Sequence, residues 1–123
     1  MNYLRIYTGS DGHTHFEDVE VPTVPREIFA GIHPLDVAQP IPVSSLILLR
    51  YPEQATREPG WHNAPRRQFA VADKDMEFEV SDGQRRHVGA GTVVLVEDTT
   101  GKGHRTRALA EGDVLLLFLP LVE

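Results

Sequence analysis

The stretch Met76-Glu77-Phe78-Glu79-Val80-Ser81-Asp82-Gly83-Gln84 decides the fold class of this chain. Its first five residues alternate apolar and acidic side chains, which is the period-two pattern of a β-strand with one buried face and one solvated face. An Asp-Gly pair directly after such a run favours a tight hairpin, because glycine tolerates positive φ. The stretch therefore predicts a strand over 76–80 that turns into an antiparallel partner.

Short strand-like segments also dominate the rest of the chain. Turn signals rich in glycine fall at 89–91, 101–103 and 111–113, each between candidate strands. The other predicted strands cover 3–7, 14–21, 44–51, 68–72, 92–97 and 114–122. Many short strands with almost no helical pattern predict an all-β sandwich or a closed jelly-roll β-barrel.

Five prolines mark a different segment, namely Pro22, Pro25, Pro34, Pro40 and Pro42. Proline lacks the N–H donor of a sheet ladder, so we expect an irregular crossing segment here, with one helical turn over 26–30. A chain of 123 residues can bury one core but not two. We expect a single domain over 1–123, in which 1–43 hold N-terminal strands and the crossing segment and 44–123 the barrel core.

Composition excludes several classes of partner and site. The net charge of -6 gives no general attraction to nucleic acid. The absence of cysteine rules out disulfides, thiolate nucleophiles and sulfur-ligated metals. The longest apolar run, 114–122, is too short for a membrane-spanning helix, and no secretory signal is apparent. We expect a cytoplasmic protein without a membrane partner.

The same terminal run also bears on assembly. Residues Val114 to Leu119 are apolar on both faces of the predicted strand. One face can pack on the barrel interior, but the other needs a second sheet or a second subunit to cover it. The run therefore predicts a homodimer.

Two of the six histidines stand in specific contexts. His62 follows Pro59-Gly60-Trp61, and His104 follows Gly101-Lys102-Gly103. The region from Gly60 to Ala108 resembles the paired motifs of the cupin superfamily, and it is similar to small bacterial proteins described only as cupin-domain proteins. The first motif has two histidines one residue apart, then a glutamate and a later turn glycine. The corresponding residues here are His62, Ala64, Gln68 and Asp75, and the second motif is matched by Gly91, Gly101 and His104.

The resemblance implies a double-stranded β-helix whose metal ligands point into the barrel. Carried over, it implies a metal held by His62, Gln68 and His104, with Ala64 unable to bind. Imidazole nitrogens and an amide oxygen could hold Zn, Mn, Fe or Ni. The alternative is a hydrogen-bonded polar floor in a metal-free pocket. Positions 62, 64, 66 and 68 share one face of an uninterrupted strand, but Pro65 interrupts it.

Residues beside the motifs are further candidates for substrate binding. Trp61 could form a pocket wall or pack in the core or a dimer, and Arg67 and Arg105 could orient a carboxylate or enolate. Glu97 and Asp98 should face opposite ways on a strand. One of them could act as a general base, or they could pair with nearby arginines or be solvated at the turn.

The remaining histidines are weaker candidates. His13 and His15 have the spacing of a two-histidine clip, although an exposed or hydrogen-bonded pair explains them as well. His33 and His87 fit ordinary surface positions.

Two functions account for His62 and His104, whereas a third, an assembly protein that uses the apolar terminal strand, explains only dimerisation. The first is an enzyme of isomerase, lyase or dioxygenase type that acts on a small polar organic substrate, with His62 and His104 as acid–base residues or metal ligands. The second is a metal-free module that binds or senses a small molecule without catalysis. Fold alone does not choose between them.

Overall fold

The computed structural model describes residues 1–57 and 59–123. The protein is nearly all β, with 48% of its residues in strands and 4% in helix. The one helix among these residues is α1 (Glu53–Arg57). The strands are β1 (Asn2–Thr8), β2 (Thr14–Glu20), β3 (Thr23–Arg26), β4 (Leu35–Ala38), β5 (Ile47–Tyr51), β6 (Gln68–Ala72), β7 (Met76–Val80), β8 (Arg85–Val88), β9 (Val94–Val96), β10 (His104–Ala108) and β11 (Val114–Pro120).

Three sheets organise these strands. The largest has six strands in the order β2-β1-β9-β6-β11-β5 and is mixed, because β1 and β9 run parallel whereas its other pairs are antiparallel. A second sheet has the order β10-β7-β8, and β3 pairs only with β4 in the third. Among the described residues the strands do not close into one barrel. The all-β prediction is thus confirmed at the level of fold class.

The hairpin predicted from the alternating stretch is present. Strand β7 has the predicted bounds, and its apolar side chains are buried while the two glutamates are partly exposed. Gly83 has a φ of 98°, and the turn returns the chain into β8, which pairs antiparallel with β7. The period-two pattern therefore identified both the strand and its buried face.

The core lies between the six-stranded and the three-stranded sheets. Residues from both sheets form one buried cluster: Leu4, Ile6, Met76, Phe78, Val80, Val88, Val94, Val96 and Val114, together with Ala64. At one end, His62 forms an isolated antiparallel bridge with His104, so the segment before β6 is tied to β10. This arrangement places the two motif segments against one interior.

The proline-rich segment is more regular than expected. Strands β3 and β4 pair antiparallel through Pro25 and Asp36, and the helical turn expected over 26–30 is absent. β3 instead ends at Arg26 and the chain turns near Gly31, whose φ is 77°. Proline is compatible with a two-stranded sheet because each strand keeps one free edge. Across the described residues, no helix is long and apolar enough to span a membrane.

Candidate functional site

A cavity of about 330 Å³ lies between the two larger sheets. Alternate residues of β6, β9 and β11 form one wall, and alternate residues of β7 and β10 form the other, as strand periodicity requires. Most of the lining is apolar. The wall residues include Ala70, Ala72, Val94, Val96, Leu116 and Phe118 from the large sheet, and Met76, Phe78, Val88 and Thr106 from the small one. Two basic residues, Arg50 and Lys74, also line the cavity.

The polar groups of the cavity include His62, Gln68 and His104, which the cupin resemblance named. Gln68 and Val96 face each other in the ladder between β6 and β9, and His104 begins β10. His104 and Gln68 are buried, whereas His62 is exposed and so marks an opening. The two motif segments therefore bring these three side chains to one space.

His104 is held by a buried carboxylate. Its Nδ1 atom lies 2.5 Å from Oδ2 of Asp98, whose side chain is fully buried. A carboxylate accepts hydrogen bonds, so the proton of the neutral ring lies on Nδ1 and the lone pair on Nε2. Among the described residues the other oxygen, Oδ1 of Asp98, has no hydrogen-bond partner. In the described part of the chain, the Asp98 carboxylate therefore forms a hydrogen bond with His104 alone.

His62 has the same orientation of its ring nitrogens. Its Nδ1 donates to the carbonyl of Gly60 over 3.0 Å, which leaves Nε2 as the nitrogen with a lone pair. The rings of His62 and His104 are 4.6 Å apart between centroids, and their backbones exchange two hydrogen bonds of 2.9 Å. The two imidazole rings are thus held side by side at one end of the cavity.

Gly103 allows this close approach. It has a φ of 77°, and a Cβ atom at this position would lie 2.5 Å from the backbone oxygen of His62. A larger residue would therefore push β10 away from the segment that carries His62. The glycine directly before His104 has a structural role in placing both histidines.

The segment from His62 to Gln68 reaches the cavity without forming a continuous strand. The chain bends at residues 65–67, as Pro65 suggested, yet His62, Ala64 and Gln68 all line the cavity. Within the described part of the chain, no group of three His, Cys, Asp or Glu side chains is arranged to hold a metal ion. The Gln68 amide is the third group in the cavity wall, beside the two histidines, that could coordinate a metal ion.

The other predicted substrate-binding residues lie outside the cavity wall. Arg105 alternates with His104 and Thr106 on β10, so it points to the opposite face, where its Nε atom donates to Glu79 over 2.7 Å. Its guanidinium carbon also lies 4.9 Å from the centre of the Trp61 ring. Trp61 is exposed and is not part of the wall. These two residues therefore form a stacked pair on the outer surface.

Glu97 and Asp98 face opposite ways. Glu97 accepts hydrogen bonds from Arg5 over 2.6 Å and from Arg67 over 2.6 Å. Partial burial acts to raise the pKa of Glu97, but these two arginines outweigh it, so the pKa lies below its usual value. Arg67 is thus engaged in an ion pair, and Glu97 joins β1 to the segment before β6.

The remaining histidines form separate surface contacts. His15 lies 2.9 Å from Asp82 and 3.3 Å from Asp11, and its hydrogen bonds, first to Asp82 and then to Asp11, raise its pKa. The ring of His13 contacts Ser81 instead, so the two imidazole rings contact different residues. His33 and His87 contact Pro34 and Asp75, respectively.

Asp98 is the residue of the candidate site whose contact with His104 the sequence did not predict. In the sequence, Asp98 stood out only as one of two adjacent carboxylates, and nothing indicated which residue it contacts. The signal that could have identified it is its position before a glycine-rich turn, which reverses the chain and returns His104 to its side. The sequence likewise did not identify Thr106 and the apolar wall residues as cavity lining, because that depends on how the strands pair in the sheets.

Comparisons with known proteins return little similarity. No family model matches the chain, and no curated protein matches it. A solved structure, the crystal structure of protein NMB1881 from Neisseria meningitidis, is similar with a TM-score of 0.47 and 22% sequence identity. The similarity covers 63% of this chain and 72% of that one.

Proposed function

We propose that this chain is a cupin-type enzyme, of isomerase, lyase or dioxygenase type, which acts on a small polar organic substrate in the cavity between its sheets. The proposal includes the jelly-roll topology of the cupins. The observation that carries it is the Asp98–His104 pair, in which a buried carboxylate orients an imidazole at a cavity. The same cavity receives His62 and Gln68 from the first motif segment.

The chemistry of this pair is general acid–base catalysis. Nε2 of His104 has a lone pair that can accept a proton from a substrate carbon or hydroxyl group, and it can return that proton to another atom. Asp98 stabilises the imidazolium that forms, because its charge is buried and close to Nδ1. His62 can act as the second acid or base, since its Nε2 atom is also unengaged by Gly60.

Gln68 is the residue best placed to orient the substrate. Its amide can both donate and accept hydrogen bonds, and it lines the cavity beside the histidines. Of the other residues predicted to bind substrate, Trp61, Arg67 and Arg105 lie outside the wall and are engaged with one another or with glutamates. We therefore assign direct substrate contact to Gln68.

The cavity offers only part of the ligand set expected for a divalent metal. His62, Gln68 and His104 would hold it, and the Asp98–His104 contact is the support that metal-binding histidines usually have. Zn, Mn, Fe and Ni all accept imidazole and oxygen ligands. Such a metal would supply Lewis-acid polarisation of a substrate oxygen. Ala64 offers no donor at the position of the second motif histidine.

A metal-free binding or sensor module is the second candidate. Two observations favour it, namely the alanine at position 64 and the amide at position 68 where a carboxylate ligand would stand. A largely apolar cavity can retain a ligand without changing it. In both cases we propose a cytoplasmic protein that does not bind nucleic acid.

Metal content tests the proposal first. Protein purified without an affinity tag or chelator would be measured by plasma mass spectrometry, alongside His104→Ala and the surface variant His87→Ala. Near-stoichiometric metal in the wild type and in His87→Ala, lost in His104→Ala, would support the three-donor site. Absence of metal after reconstitution would favour the metal-free alternatives.

A ligand screen then separates catalysis from binding. Small hydroxy acids, keto acids and sugars would be tested by thermal shift, since a ligand at 100 times its Kd adds about 2.7 kcal/mol of stability. Ligands that stabilise the wild type but not His104→Ala would then be followed for turnover by NMR. Turnover that depends on His104 supports the enzyme, and binding without any chemical change supports the module.

A further inference from the structure

Residues 22–46, here called the arm, extend from the body of the protein. Strands β3 and β4 pack chiefly against each other and form a sheet of their own. The base of the arm is tied to the body where Val43 pairs with Leu121. Large apolar side chains are exposed all along it: Val24, Ile28, Phe29, Ile32, Leu35, Ile41, Val43 and Leu46. An apolar patch of this extent is unusual on a monomer that remains alone in water.

A second apolar surface lies on the outer face of β5 and β11, here called the β5–β11 face. Leu116 and Phe118 point into the cavity, so the alternate residues Leu115 and Leu117 point outward. Leu117 faces Leu48 across the ladder, and Leu48 is 73% exposed. β5 is also the last strand of its sheet, with one edge unpaired among the described residues. In the part of the chain that the structure describes, no element covers this face or this edge.

The total surface area supports an uncovered interface. The chain exposes 7700 Å². A compact monomer of 13.7 kDa is expected to expose roughly 6,600 Å². The excess of roughly 1,100 Å² is comparable to the ~800 Å² that each partner buries in a standard protein interface. The chain is therefore less compact than an average monomer of its mass, as expected if its exposed apolar surfaces pack on a second copy.

We propose that the arm of one copy covers the β5–β11 face of a second copy, and that the second arm covers the first face in return. Each chain carries one arm and one face, so a twofold axis uses all four surfaces and leaves none exposed. A face-to-face dimer would bury only the β5–β11 surfaces and leave both arms uncovered. The reciprocal exchange is therefore the arrangement that accounts for the two surfaces together.

Sedimentation velocity on the full chain tests this arrangement. The variants are Phe29→Asp in the arm, Leu48→Asp on the β5–β11 face and Leu109→Asp as a control, since Leu109 is an exposed apolar residue outside both surfaces. We expect the wild type and Leu109→Asp to be dimers. Each of the other two variants should raise the dimer Kd at least ~100-fold, because a symmetric dimer contains every substitution twice.

Mixing the two variants distinguishes reciprocal exchange from face-to-face contact. Phe29→Asp keeps an intact face and Leu48→Asp keeps an intact arm, so one of the two contacts is restored in the mixture. We expect heterodimers at a concentration where each variant alone is monomeric. Circular dichroism would establish that both variants keep the wild-type strand content. A monomeric wild type, a dimeric Phe29→Asp variant or a mixture without heterodimers would overturn the proposal.

Discussion

Nδ1 of His104 lies 2.5 Å from Oδ2 of Asp98, and both side chains are at least nine-tenths buried. The contact joins the two ends of the turn that separates β9 from β10. Because this contact is short and buried and His104 lines the cavity, it determines which nitrogen of His104 is left unengaged there. The proposed chemistry depends on that orientation.

Replacing Asp98 by alanine should release His104. Nδ1 would lose its acceptor, so we expect ¹⁵N NMR to show a mixture of ring tautomers in place of one. Leaving this buried donor unpaired should lower the free energy of unfolding in urea by about 1–3 kcal/mol. Glu111→Ala, which removes an exposed carboxylate, is the control. An unchanged single tautomer in Asp98→Ala would show that Asp98 does not orient the ring.

Replacing Ala64 by histidine should create a fourth donor. Ala64 is buried and lines the cavity, so a ring at this position can reach the space that His62 and His104 share. We expect the affinity for Zn²⁺ or Ni²⁺, measured by titration calorimetry, to rise at least ~10-fold. Ala90→His on an exposed turn is the matched control. Equal affinities for the wild type and Ala64→His would count against the assigned metal position.

Stability should depend on the protonation of His15. Hydrogen bonds to Asp82 and Asp11 raise its pKa above the ordinary value of 6.5. A raised folded-state pKa stabilises the fold fully below pH 6.5, and this contribution is lost as the pH rises through the folded pKa. We expect the unfolding free energy of the wild type to fall over that window. His15→Gln should flatten this dependence, whereas His33→Gln should retain it.

Glu97 should produce the opposite dependence on pH. Its folded pKa lies below the ordinary value of 4.5, because Arg5 and Arg67 outweigh the effect of burial. The stabilisation is therefore present above pH 4.5 and is lost as the pH falls through the folded pKa. The stability difference between the wild type and Glu97→Gln should shrink in acid, as measured by urea unfolding. A difference that stays constant down to full protonation would argue against this ion-pair network.

Local patterns predicted the strands well where one face was buried. The bounds of β6 and β7 were predicted correctly, and the strand over 114–122 ends only two residues early. β3, β4 and β10 were not predicted as strands, and β8 was predicted only as the unbounded partner of the hairpin. They are short and rich in charged residues or proline, so no period-two pattern marks them, and their ladders depend on partners that lie elsewhere in the chain.

The sequence by itself determined the all-β class, the hairpin at Gly83 and the histidines worth examining, because these follow from periodicity and from the conformational freedom of glycine. Only the tertiary structure decided that Asp98 orients His104, that Arg105 faces away from the cavity and that the arm stands apart from the body. Those relationships depend on which strands pair and in which register, and a shift of one residue would turn each side chain to the other face.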